Sequence, residues 1–143
     1  MSVGKTSFVK HFLMGEFNEN HPATAGVAVG HLTFYNNKYG AMKFKVCDVS
    51  AGQELPRGRK EEDCNDGHCA IIMFDPSLRI TYSQVPGFYR DLTEFSVTIP
   101  ITLVGNNKVN KTADPMTKHN ITFHKVKPNM EYFEISVKEK TLS

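Results

Sequence analysis

Met1-Ser2-Val3-Gly4-Lys5-Thr6-Ser7-Phe8 opens the sequence, and its second half is the right-hand end of a phosphate-binding loop, G-x-x-x-x-G-K-[ST]. Glycine lets backbone N–H groups close around phosphate oxygens, and lysine places a cation on them. The threonine hydroxyl ligates Mg²⁺ at a helix N-terminus whose dipole favours anions. The motif demands a helix next, and Thr6 to Met14 supplies one. Phe8, Val9, Phe12 and Leu13 share a face, with Gly15 as the stop. The sequence begins inside the loop, so the loop's first glycine and the strand expected before it are not in it. Gly-Lys-Thr at a helix start is common, and the segments further along decide what it means.

Outward from that helix the pattern alternates strand and helix. His31 to Tyr35 and Met42 to Cys47 put Leu32 and Phe34, then Met42, Phe44 and Val46, on one face, and the turn Asn36-Asn37-Lys38-Tyr39-Gly40 joins them. This predicts an antiparallel hairpin. Cys69 to Phe74 and Ile101 to Val104 are short apolar runs without alternation, as in parallel strands covered on both faces. Between them Thr81 to Phe95 carries Val85, Phe88, Tyr89, Leu92 and Phe95 at helical spacing, with Pro86 opening a new helical turn. A last strand is expected over Glu131 to Ile135. The order implies an α/β fold with a mostly parallel sheet.

Composition sets bounds on function. The 143 residues fit one domain, read here as residues 1–143, and the 40% hydrophobic content supports one modest core. Lys and Arg number 17 against 15 Asp and Glu, a net charge of +2. That total argues against a nucleic-acid coat or a membrane-surface patch, so any basic surface must be local. The longest apolar run, Cys69 to Phe74, is far short of the roughly 20 residues of a bilayer span, and an intracellular protein without membrane contact is expected. Cys47, Cys64 and Cys69 are odd in number and lack zinc-ligand spacing, which predicts reduced thiols. Leu55 to Gly67 is dense in charge and turn formers and reads as a mobile loop. Its acids Glu61, Glu62, Asp63 and Asp66 read as a solvated face and not a metal cluster.

Asp48-Val-Ser-Ala-Gly52-Gln53-Glu54 follows one strand and Asn107-Lys108-Val109-Asn110 follows another. Thr24-Ala25-Gly26 lies upstream and Glu134-Ile135-Ser136-Val137-Lys138 downstream. That is the segment order of a small GTPase. Gly4-Lys-Thr-Ser-Phe-Val-Lys, Ala23-Thr-Ala-Gly-Val, Cys69-Ala-Ile-Ile-Met-Phe-Asp75, Arg90-Asp-Leu and Ile121-Thr-Phe-His124 further resemble the Ran family of small GTPases, within the Ras superfamily. The resemblance covers essentially the whole chain. It implies the small G-domain of P-loop NTPases, here without the first, central strand and the last helix.

The resemblance also implies roles for individual residues. Gly4, Lys5, Thr6 and Ser7 would hold the phosphates, with Lys5 on the β- and γ-phosphates of GTP or GDP. Thr6 and Thr24 would ligate Mg²⁺, and Asp48 would reach the ion through water. Phe17 would cover the guanine face. Gly52 would sense the γ-phosphate, and Gln53 would orient the attacking water as the catalytic residue. Asn107, Lys108, Asn110 and the turn Ser136-Val137-Lys138 would surround the base. A GTP-hydrolysing switch of nucleocytoplasmic transport follows, residing in nucleus and cytoplasm, with importin- and exportin-type receptors and Ran regulators as partners. Lys118, His119, His124, Lys125 and Lys127 resemble the surface that meets such receptors. Neither nucleic acid nor membrane is an expected partner.

Departures from the family pattern point to a second reading, a pseudo-GTPase or fragment product with weak or no nucleotide binding. Asp48 and Gly52 are four apart where the family has Asp-x-x-Gly, and one extra residue adds about 3.5 Å of contour. A γ-phosphate hydrogen bond tolerates much less. The family's base-reading aspartate is Asn110, so one of guanine's two N–H donors faces an amide donor. Pro56 stands where partners grasp an aromatic at the second switch, which predicts weaker binding there. Without the central strand, flanking strands would lie about 9.6 Å apart, twice the usual spacing. A marginally folded chain is the expectation.

Overall fold

A computed structural model describes residues 3–14, 27–49, 67–95, 99–107, 120–137 and 141–142. The chain divides into two compact units. Gly4 to Val49 belongs to the first, and Val3 with the residues from Gly67 onward to the second.

In the first unit, α1 spans Lys5–Met14, β1 Val27–Asn36 and β2 Gly40–Val49. β1 and β2 form an antiparallel pair in register from Val27↔Val49 to Asn36↔Gly40. The turn chemistry fixes that register. Asn36 Oδ1 accepts hydrogen bonds from the N–H groups of Lys38 at 2.8 Å and Tyr39 at 3.3 Å, and Gly40 takes φ +71°. A left-handed glycine closing a short loop supplies the twist that the two strands need. Alternation then places Leu32 opposite Phe44 and Phe34 opposite Met42, on one face as the sequence predicts. The Phe34 and Phe44 rings meet edge to face at 5.6 Å. α1 packs against both strands.

The second unit is a four-stranded sheet in the order β3-β4-β5-β6: Ala70–Phe74, Ile101–Asn106, Met130–Ser136 and Thr141–Leu142. β3, β4 and β5 are parallel, while β6 runs antiparallel to β5. The parallel strands confirm the α/β fold with a mostly parallel sheet. Ile72, Phe74, Ile101, Leu103 and Met130 from one sheet face join Val85 and Ile121 in the buried core, with Tyr82, Tyr89, Leu92 and Phe123 packed against them. Burying each such aliphatic or aromatic side chain stabilises the fold by about 1.5–3 kcal/mol.

The helix expected over Thr81 to Phe95 is two: α2 over Arg79–Ser83 and α3 over Val85–Phe95, with Gln84 between them. Pro86 is the second residue of α3, a first-turn position where its missing N–H costs no helical bond. A short 3-10 helix, Phe123–Val126, precedes β5. The Tyr82 hydroxyl accepts from the N–H groups of Thr122 and Phe123, both at 3.0 Å, and so ties α2 to it.

One expectation is corrected. Cys47 is disulfide-bonded and not a reduced thiol, whereas Cys69 is free and exposed. Among the described residues, no helix is long and apolar enough to cross a membrane.

Candidate functional site

The first unit carries the phosphate-loop residues. Gly4 has φ +89°, a conformation that side chains with a Cβ resist, and its carbonyl accepts from Phe8 N–H at 2.9 Å. That bond is the first helical one, so Gly4 caps α1 and Lys5, Thr6 and Ser7 form the opening turn. N–H groups of a first turn have no intrahelical acceptor and gather positive potential. Lys5 and Ser7 therefore occupy the part of the helix suited to an anion.

Thr6 and Asp48 meet across this unit. The Thr6 hydroxyl donates to Asp48 Oδ2 in a short hydrogen bond. β2 carries Asp48 to this place because it is opposite Ala28, on the same face as Leu32, Phe34, Met42 and Phe44. Asp48 is only 6% exposed, and its second oxygen, Oδ1, is buried without a hydrogen-bond partner. A buried carboxylate oxygen left unpaired costs about 1–3 kcal/mol or more. Threonine hydroxyls and carboxylates are both hard oxygen donors. The pair thus fits a hard divalent ion: a hydroxyl oxygen to ligate it, and an oxygen of Asp48 to hold one of its waters. Groups of three or more His, Cys, Asp or Glu residues at metal-binding spacing do not occur among the described residues. The oxygen set here is accordingly small.

The second unit carries Asn107, Ser136 and Val137, the residues expected from the sequence to surround the base. Asn107 follows β4, and its N–H donates to Ile135 O at 2.8 Å. Ser136 and Val137 are buried at the end of β5. Between them sits Asn106, a residue the sequence reading did not single out. It is 3% exposed. Its Nδ2 donates to Val3 O at 3.1 Å, and its Oδ1 accepts from Val137 N–H at 3.3 Å. The side chain that organises this region is therefore Asn106, and Asn107 takes part through its backbone. The signal was the doubled asparagine in Gly105-Asn106-Asn107-Lys108. β4 runs through Asn106, and strand alternation turns that side chain inward.

Phe17, Thr24, Gly52, Gln53, Lys108, Asn110 and Lys138 lie outside the described residues, as do Lys118 and His119. His124 and Lys125 lie on the 3-10 helix. The His124 ring stacks on Tyr132 at 5.3 Å. Partial burial, helped by the Lys125 charge, holds the His124 imidazole below its ordinary value. Burial pushes the Tyr132 phenol up, with Glu134 and Tyr82 adding to it. Lys127 places its ammonium 4.9 Å from the Tyr89 ring centre and 5.3 Å from that of Phe123.

The sequence model of the Ras family matches residues 1–142. The chain belongs to the Ras family. It is thereby a small GTP-binding protein by descent, and its α/β unit with three parallel strands is a G-domain sheet. Ras-family GTPases bind GTP or GDP together with Mg²⁺. In this Ras-family chain the structure brings Thr6 and Asp48 together in one unit and Asn106 and Val137 together in the other.

Proposed function

We propose that this Ras-family chain is a Ran-type guanine-nucleotide switch of nucleocytoplasmic transport, active in nucleus and cytoplasm. The observation that carries the nucleotide part is the Thr6–Asp48 hydrogen bond beside an unpaired Asp48 oxygen. That arrangement has an evident use at a phosphate-bound divalent ion and is costly without one.

Lys5 places its charge on the β- and γ-phosphates, and Thr6 and Thr24 offer hydroxyl oxygens to Mg²⁺, with Asp48 acting through water. When bound, the ion neutralises charge that develops on the phosphates. Gln53 orients the attacking water in line with the leaving oxygen, Gly52 reads the γ-phosphate through its N–H, and Phe17 covers the base. Asn107, Lys108, Asn110 and Ser136-Val137-Lys138 surround the guanine. Nucleotide released from protein purified with Mg²⁺ tests this. The reading requires guanine nucleotide in the eluate, and none bound at micromolar concentrations sinks it.

For transport, Lys118, His119, His124, Lys125 and Lys127 would meet acidic surfaces of importin- and exportin-type receptors. Pro56 weakens the second-switch contact. Receptor binding that falls steeply with salt supports this, whereas salt-independent binding removes it.

A second reading is favoured by the Asp48–Gly52 spacing and by Asn110: a pseudo-GTPase that keeps the scaffold and has lost tight nucleotide binding. Hydrolysis separates the two. A pseudo-GTPase shows no turnover that Gln53→Leu reduces.

A further inference from the structure

Cys47 and Asp48 are neighbours near one end of the β1–β2 ribbon. The ladder closes at the turn with Asn36↔Gly40 and ends at the other side with Val27↔Val49. Asp48, opposite Ala28, is therefore one pair from the open end, and Cys47, opposite Val29, is next to it. The ribbon is a sheet of two strands, and a two-stranded pair has little stability of its own. Its open end separates most readily, because terminal pairs fray before those joined by a turn. That end carries the carboxylate that takes the Thr6 hydroxyl. Cys47 is disulfide-bonded and Cys69 is free. The sequence has 3 cysteines, which leaves Cys64, outside the described residues, to pair with Cys47 in this chain.

We propose that the Cys47 disulfide is a reversible redox switch that holds the Asp48 end of the ribbon closed. Its consequence for Mg²⁺ rests on the guanine-nucleotide reading above, whereas its effect on the ribbon does not. The nucleus and cytoplasm proposed for this chain are reducing compartments, where protein disulfides are mostly transient or redox-sensing. The oxidant is a small disulfide such as oxidised glutathione. The thiolate of one cysteine attacks a glutathione sulfur and expels one glutathione thiolate. The thiolate of the other cysteine then attacks the mixed disulfide and expels the second. Two protein thiols thereby give up two electrons and two protons, and two glutathione thiols receive them. Thr6 and Asp48 are joined in the structure while the Cys47 bond is closed. Opening the bond removes a covalent tie at the residue before Asp48 and lets that end of the ribbon fray. The oxidised chain is accordingly the form that holds the ion.

The test equilibrates the full chain in buffers of stepped reduced-to-oxidised glutathione ratio and counts, by mass after alkylation, the cysteines outside the disulfide. The count should pass reversibly from Cys69 alone to all three cysteines as the buffer becomes reducing. Cys69→Ser should keep the transition and Cys64→Ser should abolish it. On reduction, amide exchange over residues 27–29 and 47–49 should quicken about tenfold or more, while exchange beside the Asn36–Gly40 turn stays within about twofold. Affinity for a GTP analogue with Mg²⁺ should fall about threefold or more on reduction and in Cys64→Ser, and not in Cys69→Ser. Three free cysteines at every ratio, a disulfide that survives Cys64→Ser, or open-end exchange indifferent to reduction overturns the proposal. So does nucleotide affinity that is the same in both redox states. Nucleotide binding absent from both states, with the exchange effect intact, supports the switch in the ribbon and overturns the guanine-nucleotide reading instead.

Discussion

The Asn106 side-chain amide donates to the Val3 carbonyl at 3.1 Å while its oxygen accepts from the Val137 N–H at 3.3 Å. One buried side chain thus joins the residue before Gly4 to the turn after β5, which are far apart in sequence. Each partner would be left without its bond if the amide were lost, and an unpaired buried group costs about 1–3 kcal/mol.

Asn106→Ala should accordingly destabilise the protein by about 2–4 kcal/mol, read as a lowered urea midpoint. Asn107→Ala keeps its backbone bond to Ile135 and should cost less. Equal losses for the two would contradict the assignment of Asn106 as the organising side chain.

Thr6→Ala should act in two ways. It removes the donor that satisfies Asp48 Oδ2, leaving a buried carboxylate with neither oxygen bonded, and stability should fall by about 1–3 kcal/mol. Thermal protection by Mg²⁺ with nucleotide should also shrink. Thr6→Ser keeps the hydroxyl and should retain most of both. Protection in Thr6→Ala equal to that of the parent would contradict a role for the hydroxyl at the ion.

Base selectivity should follow the residue at 110. Asn110 offers an acceptor and a donor, which suits xanthine's N–H and adjacent carbonyl better than guanine's paired donors. Asn110→Asp should raise the ratio of guanine to xanthine nucleotide affinity by about tenfold or more in competition binding.

Stability should also respond to acid through His124. Burial and Lys125 hold its folded value below the ordinary 6.5. As pH falls through 6.5 the unfolded chain takes up the proton before the folded one does. Stability is then lost from about pH 6.5 downward until the folded ring also titrates, and unaffected above it. In His124→Gln the pH dependence of the urea midpoint should flatten in that window.

Local chemistry made much of the fold legible. The Asn36–Gly40 turn announced the hairpin, and the unbroken apolar runs at Ile72 and Leu103 announced buried parallel strands. The break at Gln84 was less legible, because Ser83 and Gln84 carry no helix breaker and only Pro86 hints at a restart. β6 pairs through two residues, Thr141 and Leu142, too few to show a period. In the site, Gly4, Thr6 and Asp48 could be read from their motifs. Asn106 could not, since two adjacent asparagines are alike in sequence and only the pleat of β4 decides which one turns inward. The Cys47 disulfide was hidden for a similar reason: pairing depends on proximity in space, which an odd count of cysteines does not reveal.

The proposed switch holds Mg²⁺ and the phosphates of a guanine nucleotide at the Gly4–Ser7 turn and Asp48. Titration of the full chain with a fluorescent GTP analogue, with and without Mg²⁺, tests it most directly. Saturable binding at micromolar concentrations that weakens about tenfold or more without Mg²⁺ and in Asp48→Asn is the predicted result. Binding that is absent, or that is indifferent to both Mg²⁺ and Asp48→Asn, would contradict it.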